Sequence, residues 1–252
     1  MTHGIIISDT HSGHLLGLTP PKYRTRREEI ESLMGPFWEW WTKTKKKSYD
    51  VMLHIGDAVE GEGRKDTQGH LTTDINEQIN IAAEVINSVN AKKHKFVFGT
   101  PYHAGTVADY ESILAAKFSD ESVDTERYLE IDGVRFGIKH VVGKSSVPSG
   151  GDIALRNQQI FDILTSDSAD ERCQIILRGH IHEYREIKSV DQIVCSCPAL
   201  KLAISKYDKY GRKMTGGSTH VGFIEFTVDK GRVIEFSPKI YKFRTKRVYE
   251  QV

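Results

Sequence analysis

Apolar residues fall along this chain in short continuous runs, separated by longer stretches with an apolar residue every three or four positions. The runs Ile5-Ile6-Ile7, Val51 to Ile55, Lys95 to Phe98 and Gln174 to Leu177 read as buried strands. From about Thr25 to Lys47 a helical rhythm places Ile30, Leu33, Phe37 and Trp41 on one face, and Gly35-Pro36 predicts a kink there or a break into two helices. A second stripe, Ile75, Ile79, Ala82, Ile86 and Val89, runs to about Ala91 behind a candidate N-cap, Asp74. Further helices are expected over Val107 to Phe118 and from the Gly/Ser-rich loop at 143–151 to about Leu164. Arg127 to Ile131 and Val134 to Val142 flank Asp132-Gly133, a strong hairpin signal. After that the pattern is strands only: Glu186 to Val190, Ile193 to Cys197, Val221 to Val228, Val233 to Phe236 and Ile240 to Phe243, with Asp229-Lys230-Gly231 turning one hairpin. Alternating strands and helices with a β-rich end predict a layered α/β sandwich with a mixed central sheet. No repeat, low-complexity tract or linker divides it, so one domain over 1–252 is expected.

The chain has 252 residues and 38% apolar content, enough for a sizeable core. A net charge of +1 provides neither a global basic field nor an acidic tail. No run reaches the roughly 18 apolar residues of a membrane span. Met1-Thr2-His3 leads straight into the first apolar run, which is too short and lacks the basic flank of a signal peptide, so it is expected to be a core strand. Cys173, Cys195 and Cys197 give an odd count, and the last two, on one strand face, are poorly placed to bridge each other. That points to a reducing, cytoplasmic setting, with the thiols as packing residues rather than ligands.

The candidate chemistry lies where strands end. Asp9 and His11 follow the first run, Asp57 the second, His140 ends the hairpin, and His180 and His182 follow the run that ends at Leu177. In α/β sheets ligands collect at the carboxyl ends of strands. Two residues spaced two apart beyond a strand can turn toward one point. Asp57, next to Gly56, could bridge two ions about 3.5–4 Å apart. Mixed imidazole and carboxylate donors favour manganese, iron, zinc or nickel over magnesium or calcium. Each motif alone is weak, since aspartates cap turns and lone histidines sit in cores. Their joint occurrence at strand ends is what points to metal.

Asp9-Thr10-His11, Gly56-Asp57-Ala58-Val59-Glu60, Gly99-Thr100 with His103, His140 and Gly179-His180-Ile181-His182 resemble, in this order, the motif series of the calcineurin-like metallophosphoesterases. The resemblance covers roughly residues 4–185. It implies a layered αββα-type sandwich with mixed β-sheets and the metal site at the carboxyl ends of the strands. It implies two divalent transition-metal ions, manganese first, with iron, zinc or nickel as alternatives. Asp9, His11 and His182 would hold one ion with Asp57, and Asp57, His140 and His180 the other. His103 would be the catalytic histidine that protonates the leaving oxygen, with Glu60 as a residue that could orient it. Thr100 stands where the family has a ligating Asn, which predicts a second site that binds more weakly, takes an extra water or uses another group.

The partner expected is a phosphoester substrate, with nucleic acid as a candidate, and no membrane. Two basic clusters interleave with aromatics: Lys43, Lys45, Lys46 and Lys47 beside Trp38, Trp40 and Trp41, and Lys242, Arg244 and Lys246 alternating with Tyr241 and Phe243. Either could track a nucleic-acid backbone or be a solvated face over core aromatics, and the second reading is favoured. Arg178 could clamp a substrate phosphate and Tyr102 could stack on a base. The functional expectation is a metal-dependent phosphodiesterase acting on nucleic acid or nucleotides. The alternatives are a phosphomonoesterase, including a protein phosphatase, and a catalytically decayed nucleic-acid-binding module.

Overall fold

Ile5 and Ile7 of strand β1 (Thr2–Ile7) enter one core and Ile6 enters another. This period-two alternation means that both faces of the strand are covered. The computed structural model describes residues 1–62, 69–104, 109–120, 122–142, 152–204 and 219–242. β1 lies at the middle of a five-stranded sheet. It pairs in parallel with β2 (Tyr49–His54), which pairs in parallel with β3 (Ala91–Phe96). On its other side it pairs antiparallel with β9 (Val221–Asp229), and β10 (Arg232–Tyr241) closes that edge. The second sheet has the order β4-β5-β6-β8-β7, from β4 (Glu126–Ile131), β5 (Val134–Lys139), β6 (Ile175–Arg178), β7 (Arg185–Lys188) and β8 (Ile193–Ser196). Its inner strands β5, β6 and β8 are parallel and its edges antiparallel.

The layers follow from three apolar clusters. Ile6, Leu53, Phe136, Ile138, Leu177 and Phe226 fill the space between the sheets. Outside the first sheet, helices α1 (Glu28–Thr44), α2 (Ile75–Asn87) and α4 (Tyr110–Ala116) bury Phe37, Trp41, Ile79, Val85 and Leu114. Outside the second, α5 (Asp152–Thr165) packs Ala154 and Leu155 on Ile176 and Val194. The one-turn helix α3 (Pro101–Ala104) follows β3. The order is helices, sheet, sheet, helix: the αββα sandwich with mixed sheets that the motif resemblance implied.

Both hairpins turn where expected. Asp132-Gly133 and Lys230-Gly231 have positive φ at both central positions (49° and 78°, 46° and 81°), as a two-residue hairpin with right-handed twist requires. Asp74 caps α2 by accepting from the Asn76 N–H at 2.9 Å. Three expectations need correcting. Of the two outcomes expected at Gly35-Pro36, a kink or a division into two helices, the division does not occur: α1 is one helix with Pro36 inside. Ser32, whose carbonyl loses its partner to Pro36, is solvent-exposed with it, so water can satisfy that carbonyl. The helix expected to reach Ala91 ends at Asn87, Asn90 takes a left-handed φ of 56°, and β3 begins at Ala91 rather than Lys95. The last two expected strands are one, β10, which tolerates Pro238 because it is the sheet edge.

The aromatics of the first basic cluster belong to the core. Trp41 is fully buried, and Trp38 and Trp40 pack against the same cluster. Lys43 pairs with Glu39 on the solvent side. In the second cluster Tyr241 stacks near Phe37 and Trp40, while Phe243, Arg244 and Lys246 lie outside the described residues. All three cysteines are buried and unbridged. No described helix is long and apolar enough to cross a membrane.

Candidate metal centre

The loops that leave β1 and β2 are laced together by main-chain bonds. Asp9 N–H donates to Gly56 O at 3.0 Å, His11 N–H to Asp57 O at 3.1 Å and Ser12 N–H to Ala58 O at 3.0 Å. His140 directly follows β5, and Gly179 N–H donates to His140 O at 2.8 Å, which joins the loop after β6. Gly179 is needed there, because a Cβ would sit 2.5 Å from Ser8 Oγ and 2.8 Å from His140 Nδ1. The result is four strand ends at one place, drawn from both sheets.

The backbone is bent to aim these side chains. Asp9, His11, Asp57, His180 and His182 all have positive φ, between 45° and 72°. Such a conformation is uncommon outside glycine, though Asp and His tolerate it better than most residues. Five of the six candidate ligands share it, which is the kind of strain that collects at functional sites.

The side chains converge on bare donor atoms. Asp9 Oδ1 is fully buried, and the Nε2 atoms of His182, His11 and His140 stand 3.2, 3.9 and 3.9 Å from it. Among the described residues neither that oxygen nor His140 Nε2 has a hydrogen-bond partner. His11 Nε2 and His182 Nε2 face each other at 3.2 Å, and His140 Nε2 faces Asp57 Oδ2 at 3.0 Å. The second ring nitrogens are tied elsewhere. Nδ1 of His140 donates to Ile55 O at 2.6 Å, Nδ1 of His11 to Glu60 Oε2 at 2.8 Å, and Nδ1 of His103 to Glu60 O at 2.6 Å. With Nδ1 committed in His11 and His140, their Nε2 atoms are left for the site, the arrangement that metal-ligating histidines adopt. Asp9, His11 and His182 form one group whose donor atoms lie within 4.8 Å of one another, and Asp57, His140 and His180 form a second. His103 joins His11 and Asp57 in a third.

Charge tells the same story. Burial alone would neutralise Asp9, yet the neighbouring His182 and His140 hold it well below the ordinary carboxylate range. Asp57 is likewise held down, against burial, by His140 and His103. Burial opposes a charged His140, but the Asp57 and Asp9 carboxylates outweigh it and raise that imidazole to about 10. His11 goes the other way: burial, then the nearby Lys201, lower it to about 4, so it is a neutral donor. The centre thus presents ionised carboxylates and a demand for positive charge at His140 Nε2.

All six expected ligands and His103 come together around a cavity of about 170 Å³ lined by His11, Asp57, Glu60, Tyr102, His103, His180, His182 and Lys201. Tyr102 is half-exposed at its rim, with its ring 4.8 Å from His103. Arg178 is a correction. It is buried on the far face of the second sheet, donating to Gly137 O, Leu177 O and Gln158 Oε1, and it does not reach the cavity. Its position in β6 sends it toward α5, because the neighbouring Leu177 already faces the other sheet. Glu60 meets His103 through its carbonyl, while its carboxylate orients His11. Thr100, in place of Asn, grips Asp57: its N–H donates to Oδ1 at 2.7 Å and its hydroxyl lies 3.2 Å from the same oxygen.

Two residues of the centre escaped the motif reading. Lys201 lines the cavity with its ammonium 3.8 Å from Glu60 Oε2. Its sequence signal is Leu200-Lys201-Leu202, a lysine between two buried leucines. Glu111 on α4 is buried behind Asp57. It accepts the Ala58 N–H at 3.0 Å and also the Gly99 N–H. The only hint is a charge inside an apolar helix stripe.

No family model and no curated protein matches this chain. It is similar to solved structures at low identity. One is an archaeal phosphodiesterase (13% identity, TM-score 0.47, 95% of this chain and 99% of that one). Another is wild-type Vps29 complexed with zinc from Entamoeba histolytica (10%, 0.46, 95% and 98%). A third is a conserved uncharacterized protein, a predicted phosphoesterase, from Streptococcus pneumoniae (13%, 0.38, 90% and 83%). Identities and scores this low say nothing of activity here, so the side-chain geometry has to carry it.

Proposed function

We propose that this protein is a metal-dependent phosphoric ester hydrolase and, within that class, a phosphodiesterase acting on nucleic acid or nucleotides. The observation that carries the reading is the set of imidazoles whose Nδ1 hydrogens are fixed by Ile55 O and Glu60 while their Nε2 atoms point at ionised, buried carboxylates. Bare acceptors facing one another at 3.0 to 3.2 Å repel unless a proton or cation lies among them, and among the described residues Asp9 Oδ1 has no hydrogen-bond partner. The donor set of imidazole nitrogen and carboxylate oxygen fits manganese, iron, zinc or nickel, with manganese the first candidate. Asp9, His11 and His182 would hold one ion and Asp57, His140 and His180 a second, with Asp57 shared.

When bound, such ions supply a hydroxide at neutral pH and positive charge for the phosphoryl oxygens. The chain's own residues do the rest. Glu60 fixes the His11 tautomer. Thr100 and, through the main chain, Glu111 hold the Asp57 loop in position. His103 donates its Nδ1 hydrogen to Glu60 O, so as general acid it would act as the imidazolium, passing the Nε2 proton to the leaving oxygen and keeping the Nδ1 hydrogen. Tyr102 offers its exposed ring at the rim to a base or other planar leaving group.

Thr100 argues against a decayed centre, since it reinforces Asp57 instead of abandoning it. A phosphomonoesterase is the second reading, favoured by the small cavity of about 170 Å³. The test is hydrolysis of bis-p-nitrophenyl phosphate against p-nitrophenyl phosphate, with the protein loaded in turn with each of the four metals. Faster diester turnover supports the proposal, a faster monoester rate selects the second reading, and neither activity with bound metal refutes both.

A further inference from the structure

We infer that Lys201 binds the non-bridging oxygens of the substrate phosphoester and so sets the enzyme's affinity for its anionic substrate. This deepens the proposed function and rests on it. The segment that carries Lys201 is extended and pinned to the loop that carries Asp9 and His11. Leu200 N–H donates to Ser8 O at 3.1 Å, Leu202 N–H to Leu16 O at 2.9 Å, and Leu18 N–H to Leu200 O at 2.8 Å. Leu200 and Leu202 are fully buried in the helix-side core. Alternation in an extended chain turns the residue between them the opposite way, and that way is the cavity, which Lys201 lines.

The location suits an anion site. Of the described residues lining the cavity, Lys201 alone is a permanent cation, and Asp57 and Glu60 line it as acids. An approaching phosphoester meets those carboxylates and Asp9 behind them, so an ammonium at the wall offsets a repulsion that the donor set creates. Its ion pair with Glu60 is long, 3.8 Å, against 2.7–2.9 Å for a close charge-assisted hydrogen bond. The closer partner of that carboxylate is His11 at 2.8 Å. Lys201 thus lines the cavity beside Glu60 at ion-pair range. A lysine binds phosphate as a point charge, and it takes the part for which Arg178 is misplaced.

The test uses the full chain loaded with manganese, with bis-p-nitrophenyl phosphate as substrate and inorganic phosphate as inhibitor. Lys201→Met should raise KM and weaken phosphate inhibition by about ten- to hundredfold, the worth of one hydrogen bond to a charged group, with bound metal per chain unchanged. Lys201→Arg should recover most of that loss. Should the Met variant not fold, Lys201→Gln reads the same loss. A lysine acting only through Glu60 would make Lys201→Met silent in a Glu60→Gln background, whereas phosphate contact predicts the same fold-loss there. Wild-type KM and phosphate inhibition in Lys201→Met, or silence in the double variant, would overturn the assignment while leaving the proposed function intact. Metal-loaded wild type that hydrolyses neither ester overturns both.

Discussion

Adding one methyl group at Gly99 tests whether the Asp57 loop is as tightly built as the geometry says. A Cβ on Gly99 would lie 2.1 Å from Asp57 Oδ1, 2.4 Å from Asp57 N and 2.9 Å from Asp57 Cα. Real Cβ contacts stay beyond 3.0 Å, so something must move by about 0.9 Å. Two of the three atoms are main chain. The Gly99 N–H is held by Glu111 and the Thr100 N–H by Asp57 Oδ1, so neither side yields freely. Gly99 has no positive φ to preserve, so the effect of Gly99→Ala is steric. Overpacking of this kind costs about 1–3 kcal/mol, and weakening the Thr100 bond to an ionised Asp57 adds about 1.5–3 kcal/mol. A loss of about 2.5–6 kcal/mol in urea unfolding of chelator-treated protein is therefore expected. With Asp57 in its proposed role as shared ligand, a displacement of nearly 1 Å should also lower turnover about a hundredfold and reduce bound metal. Gly35→Ala is the internal control. Its Cβ would meet only flexible side-chain ends, Glu31 Oε1 at 3.3 Å and Arg24 Nη1 at 3.5 Å, so in helix α1 it should gain about 1 kcal/mol and leave metal content alone. If Gly99→Ala is within about 0.5 kcal/mol of wild type and binds metal normally, the centre is not held in the way described.

Two further predictions concern groups around the centre. His103→Ala should abolish most turnover, by about 10²- to 10⁴-fold for loss of a general acid, with metal content nearly unchanged; an equal loss of metal by elemental analysis would make His103 a ligand, as its grouping with His11 and Asp57 permits. Glu111 is raised to about 7 by burial first and by the charge of Asp57 second. A group raised on folding contributes stability fully below its unfolded value near 4.5 and loses it as pH rises through 7, a swing of about 3 kcal/mol. Measured by urea unfolding with chelator, wild type should lose that much relative to Glu111→Gln between pH 4.5 and 8. A difference between the two that stays flat with pH would show that Glu111 does not titrate there.

The motifs were legible because each is local. Asp9 with His11, and His180 with His182, lie two residues apart after buried runs, and a strand end is enough to aim both. The layers were legible for the same reason: Ile5-Ile6-Ile7 has no polar position and Val51 to Ile55 has one, His54, so neither run offers a polar face to solvent and both faces had to be covered. What failed to show depends on contacts between distant segments. Gly35-Pro36 looked like a break, yet a proline and the carbonyl it orphans cost little when both face water. Arg178 sits one residue before Gly179-His180 and looked like part of the site, but one step along a strand reverses a side chain, and Leu177 had already taken the inward face. The same rule hid Lys201. It lies about 20 residues beyond the last motif, in a segment that pairs with no neighbour in sequence, and main-chain bonds to distant residues, such as those from Leu200 to Ser8 and from Leu202 to Leu16, bring it to the cavity.

The hydrogens that define the centre are subtler still. Nothing in the sequence says that the Glu60 carboxylate serves His11 while its carbonyl serves His103, although the two bonds together decide which nitrogen of each ring faces the cavity. That division has a consequence for how the site tolerates change. A side-chain substitution at Glu60 removes one of the two constraints and leaves the other, because the carbonyl remains. The tautomer of His11 and the orientation of His103 are therefore set independently by one residue. Damage to metal binding through His11 need not carry with it damage to proton transfer through His103.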